Sequence, residues 1–159
     1  EGILVPYIHG GGKIGVMVRA ESPAGAIPEI LAAAKDCALQ VAAMNPPYLK
    51  REDVPAAVLD EEKKIILAQM AEDPKMANKP EQVKEKIAAG KVGKYYGENC
   101  LLEQAFVKEN KETVQSYVDG VAKAAGTTIA ITDFVRFERG EGIEKKADNF
   151  AEEIASMIK

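Results

Sequence analysis

Tryptophan is missing from these 159 residues, histidine occurs once, cysteine twice, and only 6% of positions are aromatic. Each scarcity removes a class of chemistry. The single histidine, His9, lies inside the H-G-G-G sequence at residues 9–12, so no second imidazole is left to act as base for a Ser-His-Asp triad. Cys37 and Cys100 are far apart in apolar surroundings, form no C-x-x-C, and with one histidine cannot complete a zinc set. Buried free thiols in a reducing compartment are expected instead. No apolar run approaches the ~20 residues of a membrane span, and no signal peptide is recognisable, so a cytoplasmic location away from membranes is expected. Basic residues are in deficit: 21 Lys and Arg against 25 Asp and Glu give a net charge of −4, which argues against direct nucleic-acid binding. No cofactor-binding set is evident.

What is present is an apolar content of 47%, enough for one core with appendages. Residues 3–9 and 13–19 alternate as two strands, with Ile14, Val16 and Val18 on one face, and Gly10, Gly11 and Gly12 supply a hairpin turn. A helix follows, with Pro28 in its first turn and a stripe of Ile27, Ile30, Leu31, Ala34, Ala38, Val41 and Ala42. Asn45-Pro46-Pro47 ends it. Between about Val54 and Met70, Val58, Leu59, Ile65, Ile66 and Met70 make a narrow seam. A second helical stretch starts near Glu81 with Val83 and Ile87 as anchors, which predicts a protruding helical hairpin at about 54–90. The glycine-punctuated residues 90–107 are expected to form short helical turns. Val114, Tyr117, Val118, Val121 and Ala125 mark a further helix closed by Gly126, and residues 127–138 a third strand. Ala147, Phe150, Ala151, Ile154 and Ile158 define a terminal helix. The fold class is α+β: a three-stranded antiparallel sheet covered by helices on one face, a protruding helical hairpin and a C-terminal helix. Two units are expected, a core over 1–139 and a helical module over 140–159.

Gly10, Gly12 and Gly15 also satisfy G-x-G-x-x-G, but Val16-Met17-Val18 continues as a strand where dinucleotide binding needs a helix. Ile14 occupies the place of the Ser or Thr that follows the lysine of a P-loop. Adjacent carboxylates such as Glu61–Glu62 and Glu152–Glu153 point in different directions on a helix and serve solvation. No catalytic centre assembles. His9 itself is open to two readings, an ordinary rim histidine with one local hydrogen bond or a contact for a protein partner. Both faces of the sheet carry apolar residues: Ile3, Val5 and Tyr7 against Leu4, Pro6 and Ile8, and Ile129, Ile131, Val135 and Phe137 against Phe134. One face is left for a second layer, which a second copy of the chain, a missing subdomain or a partner would provide.

"YIHGGGKIGVMV", "ALQVAAMNPPYLKREDVPAAVLDEEK" and "LLEQAFVKENKETV…FVRFERGEGIEK" closely resemble elongation factor Ts, the nucleotide-exchange factor of the translational GTPase EF-Tu. The resemblance runs over nearly the whole chain and fits the second half of the family's core, its helical hairpin and its terminal module. It implies a three-stranded antiparallel sheet and an activity that needs no catalytic side chain, in which binding the nucleotide-free GTPase weakens its hold on GDP. It also implies contact with the GTPase's β-barrel domain through the hairpin, which brings in His9 with Gly10 and Gly12 allowing close approach. The terminal helix would return toward the nucleotide domain, with Phe150, Ile154 and Met157 as contacts, although Phe150 and Ile154 equally suit packing. Two features depart from the family: no small N-terminal helical domain is present, and "ESPAGAIPEI" stands where a Thr-Asp-Phe-Val wedge is found. The chain's one Thr-Asp-Phe-Val, at residues 132–135, lies in the third strand and carries no wedge role. The chain opens on Glu1 and is expected to be a fragment or processed product, its wedge upstream, that binds EF-Tu better than it drives exchange. The alternative is an oligomerisation module whose open sheet face forms a homodimer.

Overall fold

The computed structural model describes residues 2–143; the terminal helix expected beyond residue 143, with Phe150, Ile154 and Met157, lies outside them. Strands β1 (Ile3–His9) and β2 (Ile14–Glu21) form an antiparallel hairpin, and β3 (Ala130–Glu138) pairs antiparallel with the other edge of β2. Among the described residues, the α-helices lie in the long connection between β2 and β3: α1 (Pro28–Met44), α2 (Ala56–Glu72), the single turn α3 (Pro74–Ala77), α4 (Glu81–Asn99) and α5 (Val114–Ala124). The class is the α+β one expected.

Period-two alternation decides which side of the sheet is dry. Val5, Val16, Val18 and Ala20 are buried under α1, whose Ile30, Ala33, Ala34, Cys37, Ala38 and Val41 form the facing layer. The alanines let the helix axis settle close to the strands. Val114, Val118 and Ala122 of α5 complete the core, with Phe106 stacked on Tyr117 at a centroid distance of 4.2 Å. Leu31, expected in the buried stripe, instead faces solvent, and Cys37 takes the inward place. Asn45 ends α1 in the left-handed region at φ 45°, so the break begins one residue before the prolines.

A β-bulge corrects the expected faces of β3. Arg19 pairs with Asp133 but Ala20 with Ile131, which leaves Thr132 as the extra residue. The slip puts Ile131 and Phe134 on the same core side and sends Val135 and Phe137 to the other, whereas simple alternation sets Ile131 against Phe134.

Helices α2 and α4 pack on each other around a second, separate cluster of Ile66, Met70, Ala88 and Val92, flanked by Leu59, Ile87 and Tyr96. Ile65 and Val83, expected in that seam, are exposed. Helix α4 also runs through Gly90, Gly93 and Gly97 to Asn99, where short turns were expected. None of these glycines adopts positive φ, so each weakens the helix without ending it. The arm joins the core where Tyr48 bridges Cys100, and Arg51 braces the joint: its guanidinium grips the Glu103 carboxylate at 2.5 and 2.6 Å and lies 4.8 Å from the Tyr96 ring centroid.

Candidate functional site

The turn between β1 and β2 needs three successive residues with positive φ, and the sequence provides three glycines: Gly10 at 60°, Gly11 at 64° and Gly12 at 87°. Nothing lies within 4 Å of a side chain built at Gly11 or Gly12, so backbone conformation and not crowding selects glycine there. The tip is exposed backbone that a partner can approach closely. Lys13 closes it, and its carbonyl accepts a 2.8 Å hydrogen bond from the Arg139 N–H, which extends the β2–β3 pairing beyond Glu138. The chain therefore leaves the sheet beside the hairpin, through turns at Gly140 (φ 88°) and Gly142 (φ 75°).

His9 is the last residue of β1, opposite Ile14, and is half-buried. On the same face, Tyr7 places its hydroxyl 3.1 Å from His9 Nδ1, with ring centroids 5.8 Å apart. Arg136 and Glu138 of β3 share this face and form an ion pair at 2.9 Å; Arg136 Nε is buried with no hydrogen-bond partner among the described residues. The helix-covered face thus becomes polar at its hairpin end. His9, Gly10 and Gly12 lie together there, at the end of β1 and in the turn that follows it. Tyr7 was missed as a neighbour of His9 and Arg136 as a member of the same face, although i, i+2 spacing on a strand was the available signal for Tyr7.

The opposite face is open, apolar toward the hairpin and charged toward its other end, where Arg19 and Asp133 stand in register with Leu4. Leu4, Pro6, Ile8, Met17, Val135 and Phe137 lie on it, with Ile8 and Phe137 each 68% exposed. Gly15 sits between those two in the register Ile8–Gly15–Phe137, which leaves a notch at the centre of the row. Asp133 and Phe134 point to opposite sides of β3, so the chain's Thr-Asp-Phe-Val does not present the two side chains together.

The thiols lie away from both features. Burial, with the Asp36 carboxylate adding to it, pushes Cys37 up to about 12, and burial followed by Glu103 pushes Cys100 up to about 11. Such thiols carry almost no thiolate near neutrality. Among the described residues, no cluster of three or more His, Cys, Asp or Glu is arranged to hold a metal ion, and no helix is long and apolar enough to cross a membrane.

The family profile described as Elongation factor TS matches residues 1–141. Elongation factor Ts of Clostridium kluyveri is 47% identical over 159 residues, covering 99% of this chain and 50% of the relative. The corresponding protein of Syntrophotalea carbinolica is 43% identical over 159 residues, covering 100% of this chain and 51% of its own length. That of Clostridium perfringens is 45% identical over 157 residues, covering 99% and 50% respectively. The chain spans about half the length of the curated relatives it matches. The glycine-tipped hairpin, the three-stranded sheet and the helical arm all fall within the matched residues, and the chain belongs to the elongation factor Ts family.

Proposed function

We propose that this chain binds EF-Tu and promotes exchange of its GDP for GTP, with the His9 hairpin as a docking element. The observation that carries the reading is the family match over residues 1–141, which encloses an exposed glycine tip with a half-buried histidine at its base. The activity is one of binding and not of bond-making chemistry. A protein that prefers the nucleotide-free GTPase lowers that GTPase's affinity for GDP by the same factor, as linkage requires. Phe150, Ile154 and Met157 are proposed as a second contact, with the core at 1–139 and the module at 140–159 gripping the GTPase at two places.

A second reading is favoured by the open apolar face: a docking or oligomerisation module that joins EF-Tu, or a second copy, without driving exchange. The test follows fluorescent GDP leaving EF-Tu after substoichiometric addition of the chain. Multiple turnovers support exchange; binding without acceleration supports the docking module. Substitution H9A weakens EF-Tu capture under the first reading, and capture of wild-type strength refutes the assignment of His9.

A further inference from the structure

We infer that Tyr7 is a positioning residue for His9, holding the imidazole so that Nε2 presents an N–H donor to the partner. This rests on the reading of His9 as a docking contact. Residues 7 and 9 share one face of β1, and the Tyr7 ring is packed against the main core, so its hydroxyl is a fixed point. That hydroxyl is 3.1 Å from Nδ1.

The proton accounting follows from the two groups. With neutral imidazole, the basic ring nitrogen is the better acceptor and the phenol the better donor, so Tyr7 O–H donates to Nδ1 and the ring hydrogen resides on Nε2. When the imidazole is protonated, Nδ1–H donates to the phenol oxygen and Nε2 keeps its hydrogen. Nε2 is therefore a donor in both states. Glu138, the acidic group of β3 on this face, is engaged with Arg136 at 2.9 Å, and among the described residues no hydrogen bond is made to Nε2. The group on the partner that His9 meets is accordingly an acceptor, a carbonyl or carboxylate oxygen. One Tyr7 hydrogen bond fixes both ring orientation and tautomer before docking, which reduces what must be ordered on binding.

The experiment compares the wild-type chain with Y7F, H9A and the double variant. Two-bond ¹H–¹⁵N spectra of His9 in the free chain, recorded with the imidazole neutral, report the tautomer, and ring relaxation reports its order. Isolated imidazole already favours hydrogen on Nε2, so the change in Y7F is the informative quantity. The expected result is a single ordered Nε2–H form in the wild type and a mobile, mixed population in Y7F. Affinity for nucleotide-free EF-Tu falls about three- to tenfold in Y7F, the range of one net hydrogen bond, and Y7F causes no further loss in the H9A background. A His9 spectrum unchanged by Y7F overturns the role of Tyr7, whatever happens to binding. An altered spectrum with H9A at wild-type affinity overturns the docking contact itself, and the proposal with it.

Discussion

Gln40 is wholly buried on α1 and ties that helix to the segment after the arm. Its Nε2 donates to Gln104 Oε1 at 3.1 Å and to the Ala105 carbonyl at 3.1 Å, and its Oε1 accepts from the Val107 N–H at 2.8 Å. The backbone partners fix the amide orientation, since an N–H can meet only the oxygen and a carbonyl only the nitrogen. Gln104 in turn donates to the Glu98 carbonyl at 2.9 Å, near the end of α4. Replacing Gln40 by alanine strands three partners. The Gln104 oxygen is fully enclosed and bears the whole penalty of an unmet buried acceptor, about 1–3 kcal/mol. The Ala105 and Val107 groups lie in exposed residues, so water recovers part of theirs. With the lost side-chain volume added, Q40A is expected to destabilise by about 3–4 kcal/mol. Q40M refills most of the space and isolates the polar share, about 2 kcal/mol. Urea unfolding with an unchanged m-value measures both. A loss below about 1 kcal/mol in either variant would refute the network as a structural tie.

Other outcomes follow from the same geometry. G11A is expected to cost about 1–2 kcal/mol because φ is 64° there, with G11N costing less; equal losses in thermal unfolding would contradict a purely backbone cause. G90A and G93A face open space at ordinary φ, and each is expected to stabilise the arm by about 1 kcal/mol, read as slower amide exchange in α4 and its partner α2 with β2 unchanged. M70A, which empties the arm's own cluster, is expected to speed exchange in α2 and α4 while leaving β2 protected; uniform acceleration would show the two clusters to be one cooperative unit. Because Cys37 is held protonated to about 12 in the fold but ionises near 9.0 when unfolded, its contribution is complete below pH 9 and is lost as pH rises toward 12. Unfolding free energies from pH 8 to about 10.5 should therefore decline more shallowly for C37A than for the wild type, and parallel slopes would contradict this.

Legibility in the sequence followed how local each cause is. The three-glycine turn and the end of α1 were readable because a few adjacent residues determine each: positive φ at Gly10, Gly11 and Gly12, and the Asn45 break. The start of α5 was read from its apolar periodicity at Val114, and the structure adds the cap, a Thr113 hydroxyl that accepts from the Ser116 N–H at 3.2 Å. The extent of α4 was not, since whether Gly90, Gly93 and Gly97 break a helix depends on what Val92 and Tyr96 pack against, and those partners lie on α2. The faces of β3 were misassigned for a related reason. A bulge at Thr132 is a property of the pairing between strands, and nothing in β3 alone announces it. The site divides the same way: His9 and its glycines stand out in a short motif, while Arg136 comes onto the face of His9 only through the β2–β3 register.

Strand β1 separates the two functional readings more sharply than any distant pair of residues would. Ile8 and His9 are neighbours in the chain, yet the pleat sends Ile8 to the open apolar face and His9 to the polar rim of the covered face. A second layer on the sheet would bury Ile8 beside Phe137 across the Gly15 notch, and a polar residue at position 8 would oppose it. The hairpin backbone is common to both variants, so I8T and H9A differ only in the face they alter. Loss of self-association in I8T with EF-Tu capture intact, and the converse in H9A, would assign one function to each face. If both substitutions weakened capture and neither affected self-association, EF-Tu would be reading the hairpin from both sides, and the open sheet face would itself be part of the GTPase contact.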